Sequence, residues 1–438
     1  MTRHTRRTAL ATGASTLAVL AGCGSISETS GERGDDLPEY DTATLAAAVD
    51  EREYEQPETY PGPVPQSLVD THRSRTRELL DTVPRDPAVP NGAVSERLHR
   101  LREQTADRLP EDGARRRGLE HVDEWRHARS DAAEVAFAYL AAVGDFDRGD
   151  LTERRLDVRD DYREAGARWS YHGKDTVDAL AVAKRWETAL TNAGWALTPD
   201  ASFPREARAA PFDAGEIAAR VEAASGRLDT ASGLHAAHYE DGMTDYWTTV
   251  STAGEQLLDA AESTMAQSAQ FLVRDDDATD IFERDIVNTP IYDLFRWGDT
   301  MATTNRQTAE KAARRGDYAV AAVLAGRSIV ATLALSRAVD AVENGDHGVP
   351  PDVDAVLARR NAAIDAVRDA RSLEPQPLAP LLSTAVHGLQ FLDRRLTADP
   401  NARDIVQTVG RYAFAEYAAE VLPAVVDRVA SELGVDGE

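Results

Sequence analysis

The chain has 438 residues, with 49 Lys plus Arg against 75 Asp plus Glu and a formal net charge of −26. That balance excludes nucleic-acid binding as a main activity, because neutralising phosphates requires basic patches. Cys23 is the only cysteine, which excludes an intramolecular disulfide and any paired-cysteine metal or redox motif.

Residues 1–24 read MTRHTRRTALATGASTLAVLAGCG. A basic start, a short apolar run from Ala9 to Ala21 and small residues ahead of Cys23 form the layout of an export signal. The run is too short, and too rich in Ala, Thr and Ser, to match a membrane span of about 20 apolar residues. Arg6-Arg7 resembles a twin-arginine signal, and Leu20-Ala21-Gly22-Cys23 resembles a lipobox. These resemblances imply a signal over 1–22, lipidation of Cys23 and a protein lipid-anchored at the outer face of the cytoplasmic membrane. Two acyl chains give stable attachment where one gives only marginal binding.

Lysine occurs only at 174, 184 and 311. High acid, scarce lysine and abundant Ala and Val resemble proteins of extreme halophiles. At molar salt the Debye length is about 3 Å, so the self-repulsion of a dense negative surface is largely screened. Acidic clusters are then background. Asp275-Asp276-Asp277 with Asp280, Glu283 and Asp285 lacks the glycine and the bidentate glutamate in the register of a calcium loop.

Residues 23–64 read as an acidic and Pro-rich tether, with a short helix at 43–53 and an extended run through Pro57, Pro61, Pro63 and Pro65. From residue 66 the apolar positions recur at helical spacing. Leu68, Val69, His72, Thr76, Leu79 and Leu80 mark a first helix. Stretches 93–109, 115–143, 151–169 and 174–190 follow, with Asp150 as the expected cap of the fourth. Prolines 199, 204 and 211 interrupt the pattern, so 197–212 reads as a boundary between a helical domain over 65–196 and another over 212–438. The second half continues with helices at 213–239, 245–273, 291–315, 318–342, 352–373, 378–396 and 402–433. Asp317 is the expected cap of the most apolar of these, and Pro423 the expected kink in the last. Arg327 in the middle of 318–336 argues for a central core helix rather than a membrane span. The expected fold class is all-α, a multi-helix bundle or an array of helical hairpins. Gly316-Asp317-Tyr318 and Ala321 resemble the turn of a tetratricopeptide repeat, as does the spacing of Ala363, Val367, Ala370 and Pro375, but no 34-residue period connects them.

Candidate chemistry is sparse. Glu96 with His99, and Glu124 with His127, have the Glu-x-x-His spacing of di-iron bundles, yet Glu96 and Glu124 fall opposite their apolar stripes. No phosphate-binding loop, dinucleotide fingerprint or serine triad motif is present. The remaining candidate continues the stripe Ile217, Val221, Ala224, Leu228 and Ala231 into His235, His238 and Tyr239. Two imidazoles at i, i+3 hold a transition metal when a neighbouring helix closes the shell, with Asp241 the better placed of the nearby acids. The alternative is a pair of core histidines. Gly233-x-His235 also resembles the Gly-x-His-x-x-Glu motif of imelysin-type lipoproteins, with His238 where the glutamate belongs.

Address, helical pattern and the lack of catalytic motifs favour a non-enzymatic surface protein that binds a partner or small ligand. The alternatives are a metal-binding protein centred on His235 and His238, and a transporter's solute-binding lipoprotein. The β-α alternation of that last class is missing.

Overall fold

The computed structural model describes residues 37–49, 59–110, 118–198, 202–240, 242–268, 286, 288–383 and 385–435. Residues 38–438 form one compact unit, and the fold is all-α. Arg6, Arg7, Cys23, Asp241 and the acidic loop at 274–285 lie outside the described residues.

Helix α1 (Thr42–Ala48) is capped by Asp41, whose carboxylate accepts from the Ala43 and Thr44 amides. Its Leu45 is fully buried in the core of the second half, and Tyr40 Oη donates to Pro350 O at 2.7 Å. Tyr60 is also buried and donates to Leu234 O at 2.7 Å. The expectation of a free tether reaching residue 64 is therefore corrected. The aromatic and aliphatic side chains between the prolines find apolar partners on the body, and burying them outweighs leaving the strand in solvent.

The first half comprises α2 (Gln66–Asp81), α3 (Gly92–Asp107), α4 (Leu119–Val143), α5 (Arg148–Ala167), α6 (Thr176–Ala196) and α7 (Pro211–His238). Gly144 stops α4 in the left-handed region at φ 94°. Asp147, not Asp150, caps α5; Asp150 completes the capping box three residues on. Helix α7 lies along α4 so closely that a Cβ on Gly215 would come within 2.5 Å of Glu134 O. Ile217, Val221, Ala224 and Leu228 share one core with Ala132, Ala133 and Ala136 of α4. The expected division at 197–212 is thus corrected: the prolines make a surface connection, and α7 completes the first half. A two-residue ladder joins β1 (His172–Gly173) to β2 (Thr244–Asp245), with His172 opposite Asp245.

The middle of this half is ionic. Glu222 of α7 is fully buried. It accepts from Arg129 Nε of α4 at 2.7 Å, from Arg75 of α2 at 3.2 and 3.3 Å, and from Arg154 of α5. Arg129 also donates to Asp229 at 2.6 Å and to Ser225 at 3.1 Å.

The second half comprises α8 (Trp247–Gln267), α9 (Pro290–Arg315), α10 (Tyr318–Glu343), α11 (Val353–Ala370), α12 (Leu378–Leu382), α13 (Ala385–Thr397) and α14 (Ala402–Glu432). Gly316, at φ 87°, turns α9 into α10. Helix α10 is the central helix expected from its composition, long and apolar enough to span a membrane but mostly buried by its neighbours. Arg327 is accommodated there because its Nε donates to Leu381 O at 2.8 Å. Stretch 378–396 divides into α12 and α13 because Ser383 is extended, and α14 continues through Pro423, which lies on its exposed face.

Asp317 does not cap α10. Its carboxylate accepts from Thr191 and Arg315. The free amides of Ala319 and Val320 donate instead to Glu187 of α6, at 3.1 and 2.7 Å. Tyr171 Oη donates to the same carboxylate at 2.5 Å. One buried side chain of the first half thereby closes the N-terminus of the central helix of the second, a role set by the helix dipole and unfilled amides. Burial pushes the Glu187 carboxyl up to about 8, against the lowering pull of these three donors.

Candidate functional site

The stripe on α7 carries His235 and His238 to its C-terminal turn, where the chain leaves the helix at Tyr239. His238 points inward and is 4% exposed. Its Nε2 lies 3.0 Å from Asp178 Oδ2. Asp178 sits in the first turn of α6, held by the Asp175 cap and accepting from the Lys174 amide at 2.8 Å. Burial raises the Asp178 carboxyl, but the His238 ring, the Lys174 amide and the Lys174 charge outweigh it and leave it below the usual range. Tyr60 packs edge-on to His238 at 6.0 Å. The backbone crosses over the ring so closely that a Cβ on Gly62 would stand 2.9 Å from His238 Nδ1.

His235 takes a different direction. Its ring lies against Trp186 of α6 at 5.0 Å and stacks on Tyr239 at 5.8 Å. Its Nε2 is 3.4 Å from Ser170 Oγ. His172 of β1 meets Tyr239 edge-on at 5.4 Å, and Trp169 packs on Tyr171 at 5.3 Å. Burial lowers the His235 pKa, and the positive fields of His172, His238 and Arg168 lower it further. The ring is therefore neutral at pH 7.

These contacts bring together Trp186, His172, His235 and Tyr239 from three elements. Of these, His172 Nδ1 and Trp186 Nε1 are buried and have no hydrogen-bond partner, as is also true of Nε1 of Trp169, which packs on the Tyr171 ring. A buried unsatisfied donor costs on the order of 1–3 kcal/mol, so such groups in one place call for an explanation. The outer wall is Tyr239, 44% exposed. Chemically the cluster offers the Trp186 N–H donor and an unpartnered His172 ring nitrogen beside aromatic faces and a neutral imidazole.

His235 and His238 thus share a helix turn but not a set of partners. Among the described residues no group of three or more His, Cys, Asp and Glu side chains is arranged to hold a metal ion. The Glu-x-x-His pairs stay at the surface: Glu96, His99 and His127 are exposed, and Glu124 lies 3.4 Å from His121. The Trp186, His172 and Tyr60 contributions are not readable from sequence periodicity, because each comes from another element. The nearest signal was the density of aromatic residues over 169–171.

Residues 67–245 match a family described as a domain of unknown function (DUF8262), and residues 247–431 match another (DUF8264). The junction falls between β2 and α8, consistent with α7 belonging to the first half. No curated protein and no solved structure matches the chain.

Proposed function

We propose that this chain is a lipid-anchored extracytoplasmic binding protein, and that the His172–Trp186–His235–Tyr239 cluster seats a small ligand rich in hydrogen-bond acceptors. The observation that carries the reading is the gathering of buried, unpartnered ring nitrogens, the Trp186 N–H donor among them, against aromatic rings. That combination suits a molecule with a flat or apolar face and oxygen acceptors at its edge. The anchor rests on Arg6-Arg7 and the lipobox-like Leu20-Ala21-Gly22-Cys23. No nucleic-acid role is proposed, given the net charge.

Native mass spectrometry of protein taken from membranes in molar KCl tests the seat. A bound small-molecule mass is expected, lost in Trp186→Phe, which keeps the ring but removes the donor. Its retention in that variant overturns the seat. Elemental analysis of the same sample tests the metal alternative: a stoichiometric transition metal lost in the His235→Ala/His238→Ala double variant would replace the reading. Cys23→Ser should release the protein from membranes or leave its precursor uncleaved; unchanged membrane retention with normal cleavage removes the anchor.

A further inference from the structure

Five Asp-x-x-Arg pairs lie within the described helices. At i, i+3 these side chains are neighbours and ordinarily pair. Four do: Asp70–Arg73 at 2.6 Å, Asp123–Arg126 at 3.1 Å, Asp160–Arg163 at 2.7 Å and Asp365–Arg368 at 2.7 Å. The fifth, Asp293 and Arg296 in the first two turns of α9, does not close within 4.0 Å. Arg296 turns instead toward its own Tyr292, with Nη1 3.5 Å from Oη and the guanidinium 5.9 Å from the ring centroid.

The fifth pair borders a cavity of about 90 Å³. Asp293, Tyr292 and Arg296 line one side, and Arg403 and Gln407 of α14 line the other. Asp293 is 8% exposed, and no ion pair or hydrogen bond engages its carboxylate among the described residues. Arg403 is exposed and likewise has no carboxylate partner among them. The N-terminus of α9 borders the cavity with no side-chain cap from Thr289, whereas Asn401 and Asp404 cap α14. One uncapped helix N-terminus and two guanidiniums favour an anionic group. The buried carboxylate beside them favours a cationic one. Burial raises the Asp293 carboxyl while Arg411, Arg296, Arg395 and Arg403 pull it down, so a bound cation would remove a standing penalty.

We propose that this cavity binds a small zwitterion of the α-amino-acid type. Its carboxylate is held by Arg296 and Arg403, and its ammonium by Asp293. Both charges line the one cavity, and the volume, room for several water-sized atoms, limits the ligand to a short side chain. The site belongs to the second half and stands independently of the cluster on α7.

The test is calorimetric titration of the full chain in high salt with glycine, L-alanine and L-serine. Acetate and methylammonium, each carrying one end of the zwitterion, serve as controls. At least one of the amino acids is expected to bind, with both controls at least tenfold weaker. Asp293→Asn and Arg403→Gln should each weaken binding tenfold or more; Arg403 is exposed, so that variant keeps the fold if the first does not. Acetate binding as tightly as the amino acids, no binding by any of the three, or unchanged affinity in a folded Arg403→Gln each overturns the proposal.

Discussion

Around Glu222, helices α2, α4, α5 and α7 meet on a carboxylate and three arginines. Around α10, helices α8, α9 and α14 meet on methyl groups: Ala319, Ala322, Ala325, Ala334 and Ala338 are fully buried. Backbones approach through glycine there, and a Cβ on Gly410 would lie 2.1 Å from Pro290 O. Among its described residues the second half keeps one fully buried ion pair, Arg360 with Asp393 at 3.0 and 2.8 Å, and the Asp393 carboxylate also accepts from Tyr412. The difference teaches where each half is fragile. An ion cluster is tolerable only while complete, because removing one member leaves the others desolvated and unpaired. A small-residue core is indifferent to charge but has no space for added atoms.

The largest expected effect is therefore at Glu222. Glu222→Gln should lower stability by about 3–5 kcal/mol, the range for breaking a buried charge pair, measured by denaturant unfolding in molar KCl. A loss under about 1 kcal/mol would show that the arginines reach water and that the contrast between the halves is not real.

Each half also holds a buried histidine whose pKa is brought down to about 4, which sharpens the comparison through pH. His72 Nε2 is 2.9 Å from Thr230 Oγ1, and Arg129 Nη1 faces Nδ1 at 3.4 Å. Burial first, then the Arg129 and Arg126 charges, bring its pKa down to about 4. His347, at 2.6 Å from Tyr417 Oη, is brought down to about 4 by burial and Arg359. A base with a depressed folded pKa takes up its proton more readily when unfolded. Its contribution is present above pH 6.5 and is lost as pH falls from 6.5 toward 4. Each loss amounts to about 3 kcal/mol. Unfolding free energies at pH 7 and pH 4.5 should show this slope, and His72→Gln and His347→Gln should each remove a share. A variant that leaves the slope intact clears its histidine of the role.

Close backbone approach is common to both halves, so Gly410→Ala and the first half's Gly215→Ala should cost similar amounts, about 1–3 kcal/mol each. A large disparity in their melting shifts would place the tighter packing in one half. The smallest effects belong to surface pairs. Arg163→Gln and Arg368→Gln, one in each half, should change stability by no more than about 0.5 kcal/mol and by nothing measurable in molar KCl.

Most helices were legible as stripes. Leu68, Val69, His72, Thr76, Leu79 and Leu80 are all buried on α2 as their spacing requires, and Gly144, Gly316 and Gly345 end or follow helices in the left-handed region. Errors fall where a partner arrives from elsewhere. Asp317 has the composition of a cap, but Glu187 reaches the free amides first. Asp150 sits near a helix start, but Asp147 holds the geometry of the cap. Stretch 378–396 has one continuous pattern and yet breaks at Ser383. The candidate site divides the same way. The inward turn of His238 follows from the α7 stripe, whereas its pairing with Asp178 and the placing of His235 against Trp186 do not.

By itself the sequence determined the helical class, the extents of most helices and the burial of α10, because periodicity and stop residues act within a few turns of chain. Only the tertiary structure decided that α7 completes the first half, that Glu187 closes α10, and that Asp293 faces Arg403 across a cavity instead of pairing with Arg296. Each of these depends on which helix lies beside which, and a residue's own neighbours in sequence carry no record of the side chains that packing brings to it from 100 residues away.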